Sequence, residues 1–555
     1  MQFINGLHFN NIRGDIYGSL TAAIVALPVA LAMGVVSGAG PIAGIYGAII
    51  VGFFAAILGG TPAQISGPTA PMTVVMALIF TQYTSMFPND LEMGVTLAFS
   101  IVVMAGLFQI AFGLLKVSKF FERVPHPVIS GFMTGIGVFV ILLQLGPLLG
   151  HASSVKPVEV IQAISEMVSD PHQPSLMLGV FALLIIYGVP RFLPQLNRLL
   201  PSSLLALLLA TVCYLIFFQN TGVSILGQVV IALPELVMPV VILDLMPGMI
   251  LSAFFLAVLG SLDSLLTSFA ADNVTKTYHK SNRELIAQGV GNAVAGLFGA
   301  LPGAGASSQT MANIKAGGQT PVSGVLHAMV LLLIVLGAGV LVSEIPHAVL
   351  AAILIKVGTD LIDWEYLGNI RIVPKAGFII MLTVLLMTVI VDPIMALATG
   401  MVMASLLFLQ RITEQQLASM LANTKATDEM GLDIEETSLL AQAKDRVVLF
   451  EIGSAVSFGA AKGMRKILAK FDDYDALIID MTDVPVIDYT ACRTLDNIIA
   501  DTIEQRREVM LVGVRSAVTK VLKKQKVLDR IHSDYIFVKR IGALREALNF
   551  VNSKK

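Results

Sequence analysis

Leu301-Pro302-Gly303-Ala304-Gly305-Ala306-Ser307-Ser308-Gln309-Thr310 interrupts a strongly apolar part of the chain. The stretch is too short and too rich in glycine to be a spanning helix. Its glycines and proline leave backbone groups unpaired, which a bilayer tolerates only where the backbone is buried in protein or lines a cavity. The residues from Ser307 to about Lys315 can form a half-helix, and its N-terminal amides would attract an anion.

A second stretch of the same build lies far upstream, Ile65-Ser66-Gly67-Pro68-Thr69-Ala70-Pro71-Met72-Thr73. Small residues again lead into a break, hydroxyls and an apolar helix. Two broken helices at corresponding positions of two halves are typical of the binding site of a secondary transporter. The pattern predicts that an anion lies between the ends Thr69–Ala70 and Ala306–Ser307.

The composition indicates a membrane protein with a soluble C-terminal part. Of 555 residues, 55% are apolar and 13% charged, and the mean hydropathy is +0.81. Through Arg411 the chain carries 15 Lys/Arg and 17 Asp/Glu, against 21 and 21 after it. We therefore predict a transmembrane domain over 1–411, a polar linker over 412–443 and a soluble domain over 444–555. The net charge of −2 gives no sign of nucleic-acid binding.

Apolar runs of about 20 residues predict membrane spans. With the two broken segments, near 66–82 and 306–317, the total is about fourteen. The other runs lie near 15–36, 40–60, 93–115, 127–149, 174–193, 201–218, 247–271, 285–301, 321–342, 346–363, 376–392 and 394–410. Placing the N-terminus inside puts almost every Lys and Arg of this region on the cytoplasmic side, with Lys156 outside. Both termini are then cytoplasmic, as expected for a multi-pass protein of a bacterial inner membrane.

A repeated motif predicts internal symmetry. Arg123-Val124-Pro125-His126-Pro127-Val128-Ile129 is similar to Glu344-Ile345-Pro346-His347-Ala348-Val349-Leu350, and both continue to a glycine, Gly137 and Gly358. The motifs open spans that lie seven apart and therefore run in opposite directions. Opposite orientation of related segments is typical of inverted repeats.

Beyond the linker, the hydrophobic period changes to that of alternating strands and helices, which favours a small α/β domain. Asp488 is well placed as the N-cap of a helix. The predicted strands are Val447–Ile452, Ala476–Met481, Val509–Val512 and Tyr535–Val538, and the predicted helices are Ala460–Phe471, Tyr489–Gln505, Ala517–Lys524 and Ala543–Val551.

Asp263 is the one carboxylate that we place deep inside a predicted span. A charge at that depth by default marks an ion pathway or relay, although a hydrogen-bonded structural Asp is the alternative. Thr267 lies four residues on, so carboxylate and hydroxyl share one helix face. Hard oxygen ligands of this kind suit a small alkali cation, with backbone carbonyls of a broken segment completing the shell.

Four hydroxyls lie at the two breaks, those of Thr69, Thr73, Ser307 and Ser308. Thr73 and Ser308 can bond back to their own helix, as hydroxyls in membrane helices usually do. Thr69 and Ser307, at the half-helix starts, are the better candidates for ligand binding. There is no Walker loop, no Cys/His metal spacing and no nucleophile elbow, so the sequence predicts no enzyme. An ion gradient would then supply the energy, unless transport is passive.

Taken together, Ser66-Gly67-Pro68-Thr69, Gly260-Ser261-Leu262-Asp263-Ser264-Leu265-Leu266 and Gly303-Ala304-Gly305-Ala306-Ser307 resemble the SulP/SLC26 anion transporters. Ile478-Ile479-Asp480-Met481 and Val486-Ile487-Asp488-Tyr489-Thr490-Ala491 resemble their C-terminal STAS domain. The resemblance covers nearly the whole chain. It implies two inverted repeats of seven spans, arranged as a core and a gate domain, and a homodimer.

Asp263 followed by Thr267 is most similar to the sodium-dependent bicarbonate branch of that family. This resemblance implies that sodium is bound by Asp263, Thr267, Gly305, Ala306 and Ser307. It implies that the anion is bound by Thr69, Ala306 and Ser307, beside Ala70. Gly67 stands where that branch tends to carry Glu, which leaves the identity of the anion open.

The sequence therefore favours sodium-coupled symport of an inorganic anion, bicarbonate first and sulfate second. A proton-coupled carrier of sulfate, another oxyanion or a dicarboxylate is the alternative among transporters. A membrane-anchored STAS sensor is the alternative from another class. In the STAS-like domain Tyr489 occupies the place of a phosphorylatable Ser, so we expect a role in assembly.

Overall fold

The computed structural model describes residues 5–554 except 155, 228–233, 235 and 428–429. The chain divides into two compact units, one ending at Val402 and one beginning at Met403. The first unit is helical and apolar, and the second is a mixed sheet covered by helices.

Apolar helices form the first unit, and a helix lies at every span that the sequence predicts. In the described part of the chain, seven helices are long and apolar enough to cross a membrane. The total of fourteen spans stays a prediction. The helices are α1 (Ile12–Val36), α2 (Pro41–Leu58), α3 (Ala70–Met86), α4 (Leu91–Leu114), α5 (Ser118–Phe121), α6 (His126–Leu149), α7 (Pro157–Ser169), α8 (Gln173–Phe192), α9 (Pro194–Leu199), α10 (Ser202–Cys213, continued by a π-helix over Tyr214–Phe218), α11 (Met246–Thr275), α12 (Ser281–Leu297), α13 (Ser307–Lys315), α14 (Pro321–Val342), α15 (His347–Leu361), α16 (Trp364–Gly368), α17 (Lys375–Ile390) and α18 (Pro393–Ala418).

Two of these helices begin at the predicted breaks. Strand β1 (Ser66–Gly67) precedes α3, and strand β2 (Ala304–Gly305) precedes α13. The strands pair antiparallel, with Ser66 opposite Gly305 and Gly67 opposite Ala304. Because each strand ends where its half-helix begins, the pairing brings the two helix N-termini together at one place inside the unit.

Close helix packing in the first unit depends on glycine. A Cβ added to Gly106 of α4 would lie 2.5 Å from the carbonyl oxygen of Gly289 in α12. A Cβ on Gly289 would lie 2.6 Å from the carbonyl oxygen of Gly106. Real Cβ atoms do not approach backbone this closely, so glycine at both positions lets the two helices touch.

The second unit contains one five-stranded sheet of order β3-β4-β5-β6-β7. Strand β3 runs antiparallel to β4, and the other neighbours are parallel. Alternate residues of β4 enter the two hydrophobic cores on opposite faces, Phe450 on one side and Leu449 on the other. The strands are β3 (Met420–Asn423), β4 (Val447–Ile452), β5 (Ala476–Asp480), β6 (Glu508–Val512) and β7 (Ile536–Phe537); the helices are α19 (Ile434–Gln442), α20 (Phe458–Leu468), α21 (Tyr489–Glu504), α22 (Ser516–Lys524) and α23 (Arg540–Ser553).

Each predicted strand and helix of this domain is present, with ends shifted by a few residues. Asp488 is the N-cap of α21, since its Oδ1 accepts from the Ala491 amide at 2.8 Å. The segment expected as a linker is structured. It contains the end of α18, the edge strand β3 and helix α19, and Leu417 packs on Gly463 of α20. The segment is polar in composition because its helices and strand bury only one face. A search for continuous apolar runs does not detect such elements.

Candidate functional site

The site lies where the half-helices α3 and α13 begin. The backbone of the second break is held by its neighbours: Leu301 N donates to Ala43 O at 2.9 Å, and Ala306 N donates to Ile65 O at 2.9 Å. Gly305 N donates to Ser264 Oγ of α11 at 3.1 Å. The break is therefore ordered by hydrogen bonds from both halves of the unit.

Thr267 of α11 binds directly to this break. Its Oγ1 donates to Gly305 O at 2.8 Å and lies 2.7 Å from Ser307 Oγ. Since the single Thr267 proton is used on Gly305, Ser307 is the donor in the second contact. Three of the predicted cation ligands therefore form one cluster of oxygens.

Asp263 lies one turn before Thr267 on the same face of α11 and is 7% exposed. The Thr69 hydroxyl faces its carboxylate. Neither Thr69 Oγ1 nor Asp263 Oδ2 has a hydrogen-bond partner of normal geometry within the described residues. A buried carboxylate oxygen without a partner is costly, so the pair is suited to receive a cation, a proton or a polar ligand.

The donor set fits a small hard cation in its chemistry. Asp263 supplies a carboxylate, Gly305 a carbonyl, and Thr267 and Ser307 supply hydroxyls, all of them oxygen ligands. Binding of an ion would replace the two hydrogen bonds of Thr267 and separate these oxygens. Ala306 stands apart, because its N–H is bonded to Ile65 and its carbonyl accepts from Thr310 N at 2.8 Å.

The two helix ends that are predicted to bind the anion are built differently from each other. Thr69 is the N-cap of α3, yet its hydroxyl makes no capping bond, and Ala70 is the first helical residue. Pro71 carries no N–H, so Ala70 supplies the first amide at that end. At the other end Ala306 is the N-cap, and the first amides not used by the break are those from Ser307 onward. Ala306 therefore contributes its position and its methyl group.

The buried side chains that hold the site in place were not predicted from the sequence. Glu284 of α12 is 1% exposed and accepts from Gly60 N at 2.8 Å, Thr61 N at 3.0 Å and Gln64 Nε2 at 2.9 Å. These bonds fasten the first break to α12. Gln288, one turn on, donates to Ser66 Oγ at 2.6 Å.

Asn292 fastens the second break in the same way. Its Oδ1 accepts from Gly303 N at 2.7 Å, and its Nδ2 donates to Gly303 O at 2.9 Å and to Gln109 Oε1 at 2.7 Å. Glu284, Gln288 and Asn292 recur every four residues, which is one stripe of a helix. A polar stripe on an otherwise apolar span was the signal that could have identified them.

A cavity of about 800 Å³ reaches this region along one face of α13, and it is lined by Ser308, Met311, Ala312 and Lys315. Thr21 and Val25 of α1 line it as well, and Ser202 and Ser203 at the start of α10 lie opposite. The cavity thus leads from the C-terminal end of α13 towards its N-terminus, where the candidate anion site lies. We call it the α13 vestibule.

Comparison with known proteins agrees with this architecture. The sulfate permease family matches residues 12–384, and the STAS domain matches residues 438–539. The bicarbonate transporters BicA of Picosynechococcus and Synechocystis are 42% and 41% identical to this chain, each covering 99% of it and 97% and 96% of their own lengths. The solved transmembrane domain of a cyanobacterial BicA superposes with a TM-score of 0.67 at 44% identity, covering 72% of this chain and 100% of that domain.

The relatives named here are transporters, and the matches span the apolar unit and the mixed sheet alike. The fold is that of a polytopic helical membrane protein with an α/β domain at its C-terminus. The chain belongs to the sulfate permease family, the SulP/SLC26 anion transporters, and carries a C-terminal STAS domain.

Proposed function

We propose that this protein imports bicarbonate together with sodium. The observation that carries the proposal is the oxygen cluster of Thr267, Gly305 and Ser307 near the buried Asp263 carboxylate, whose Oδ2 has no partner of normal geometry among the described residues. Both lie where two helix N-termini meet. One cluster suits a cation and the helix ends suit an anion, so the site can bind both together.

Charge explains why the two ions would bind together. An anion near Asp263 is repelled by the carboxylate. The N-terminal ends of α3 and α13 each carry only about half a positive charge, which offsets this repulsion incompletely. Sodium on Asp263 cancels that repulsion. Each ion then raises the affinity of the other by the same factor, as linkage requires.

The choice of bicarbonate rests on relatives. Two proteins that are 41–42% identical over almost the whole chain are named as bicarbonate transporters. Helix amides alone bind several oxyanions, so the site geometry does not select among them.

The test is uptake by purified protein in proteoliposomes. Radiolabelled bicarbonate and radiolabelled sulfate are compared under an inward sodium gradient, an inward proton gradient, or neither. We expect bicarbonate uptake to increase with the sodium gradient, and we expect sulfate uptake to be weak under all three conditions. Uptake of sulfate driven by protons would favour the alternative that the family name suggests, and no uptake of either anion would favour a sensor.

We further propose that the protein is a homodimer in the inner membrane, with both termini in the cytoplasm. The distribution of Lys and Arg supports this orientation, and a compact α/β domain can meet its twin beneath the membrane. Removing residues 420–555 should weaken dimerisation in lipid nanodiscs, measured by mass photometry. A monomeric full-length protein in the same nanodiscs would contradict the dimer, and reporter fusions to both termini test the orientation.

A further inference from the structure

A second cavity, of about 420 Å³, lies beside the C-terminal half of α11. Its wall includes Thr61, Ala271, Thr275, Thr277 and Gln319. No Lys, Arg, Asp or Glu lines it within the described part of the chain. We call it the α11 cavity.

Four oxygens converge between the α11 cavity and Thr267. Ser268 Oγ lies 2.8 Å from Thr61 Oγ1, 2.8 Å from Gln64 Oε1 and 2.9 Å from Ser264 O. The three side chains are 0–6% exposed. Thr61 belongs both to this cluster and to the cavity wall, so the cluster is the inner end of the cavity.

The orientation of Gln64 makes the cluster rich in acceptors. Its Nε2 donates to Glu284 Oε1 at 2.9 Å, an oxygen that also accepts from Gln288 Nε2, and its carbonyl oxygen faces Ser268. Ser268 has one proton for two acceptors, Gln64 Oε1 and Ser264 O. Oxygen lone pairs in excess of protons favour a hard cation over an anion.

The cluster adjoins the candidate cation site. Ser268 follows Thr267 in the chain, and a Cβ on Gly305 would lie 2.5 Å from Gln64 Nε2. Gly305 N is bonded to Ser264, whose carbonyl is part of the cluster. The cluster therefore lies next to the candidate cation site, on the side of the α11 cavity.

The α13 vestibule lies on another face of the half-helix. Ser308, Met311, Ala312 and Lys315 face the vestibule, whereas Ile314 lines the α11 cavity. Among the described residues, Lys315 lines the vestibule, whereas the α11 cavity has no Lys or Arg in its wall and His8 as its one titratable residue. The two cavities thus differ in their lining as well as in position.

We infer that the coupling cation and the anion leave by different routes, the cation through the Thr61–Gln64–Ser268 cluster into the α11 cavity and the anion through the α13 vestibule. This inference rests on the sodium coupling proposed above. It predicts that an obstruction in the α11 cavity stops net sodium-driven transport and leaves the anion free to exchange.

Ala271→Leu is the test variant, because Ala271 is buried in the wall of the α11 cavity, one turn from Ser268 and Thr267. In proteoliposomes we expect uptake of ²²Na⁺ and sodium-driven uptake of labelled bicarbonate to fall at least about tenfold, an added barrier of about 1.4 kcal/mol. Bicarbonate-for-bicarbonate exchange, with saturating sodium on both sides, should stay within about twofold because sodium need not leave.

The matched control is Ala312→Leu, the same change in the α13 vestibule. It should reduce net uptake and exchange together. A second test obstructs the α11 cavity after the protein has folded. Thr275 in the cavity wall is changed to Cys in a Cys213→Ser background, and a cationic methanethiosulfonate is added on the side to which the α11 cavity opens. Labelling should reduce net sodium-driven uptake and leave bicarbonate exchange intact, as expected for Ala271→Leu. If Ala271→Leu does not fold, the labelling experiment alone tests the cation route.

The inference is overturned if obstruction of the α11 cavity leaves net uptake intact, or reduces exchange as strongly as net uptake. Failure of the proposed function is distinguishable from either outcome. If the proposed function is wrong, bicarbonate uptake by the wild-type protein does not depend on sodium, and there is no cation route to obstruct.

Discussion

Gly137 of α6 and Gly358 of α15 lie against each other. A Cβ on Gly137 would be 2.4 Å from Gly358 O, and a Cβ on Gly358 would be 2.7 Å from Gly137 O. Each glycine follows its Pro-His motif at the same spacing, so the two copies of the repeat meet at equivalent residues. This contact is consistent with a two-fold relation between the predicted inverted repeats.

Alanine at either position should therefore loosen the packing of α6 on α15. We expect Gly137→Ala and Gly358→Ala each to destabilise the protein by about 1–3 kcal/mol, the usual cost of overpacking. The measurement is the Tm in detergent. Gly337→Ala in α14 is the control, since no atom of the described residues lies within 4 Å of a Cβ there. An unchanged Tm for all three variants would contradict the close contact of Gly137 and Gly358.

Loss of the Thr267 hydroxyl should weaken sodium binding and leave the anion site in place. We expect Thr267→Ala to raise the sodium concentration for half-maximal uptake about tenfold, which corresponds to one lost ligand at about 1.4 kcal/mol. Ser261→Ala is the control, because Ser261 Oγ donates only to Ala257 O of its own helix, at 2.7 Å. Equal sodium dependence of the two variants would contradict the assignment.

Bulk at Ala306 should obstruct the anion. Its methyl group lies at the start of α13, and a leucine there would fill the space between the two helix ends. We expect Ala306→Leu to abolish uptake while the protein still folds, as judged by size-exclusion chromatography. Ala306→Gly should transport, since glycine also serves as an N-cap. Normal uptake by Ala306→Leu would show that the anion binds elsewhere.

Cys492 should be inert in the folded soluble unit. Burial, with added repulsion from Asp496 and Asp488, raises the pKa of its thiol to about 11. At pH 8 only roughly 0.1% is thiolate, so maleimide labelling should be slow and should accelerate as the pH approaches 11. Labelling at pH 8 as rapid in native as in urea-denatured protein would contradict the burial of Cys492.

The sequence predicted the elements of the fold well because their signals are local. Apolar runs located every helix of the first unit that was expected to span, and Gly-Pro breaks located the half-helices at Ala70 and Ser307. Asp488 was identified as an N-cap from its position alone. Each of these features depends on neighbours in the chain.

Features that depend on distant contacts were not predicted. Asn292 binds Gly303 and Gln109, and Glu284 binds the loop at Gly60–Gln64, over separations that no local pattern encodes. The hydrogen bond from Ala306 N to Ile65 O was also not predicted, because it forms only when the two breaks pair. Strand β3 was missed because a four-residue edge strand has too weak a pattern to separate from a linker.

The most direct test of the account is sodium dependence at fixed pH for the wild type and Asp263→Asn. The amide keeps the size of the side chain and removes the charge that would hold the ion. We predict that bicarbonate uptake by the wild type rises with external sodium and saturates, and that Asp263→Asn shows no sodium-dependent uptake at any concentration. Wild-type uptake that ignores sodium and follows a proton gradient would contradict the account and make Asp263 a proton relay.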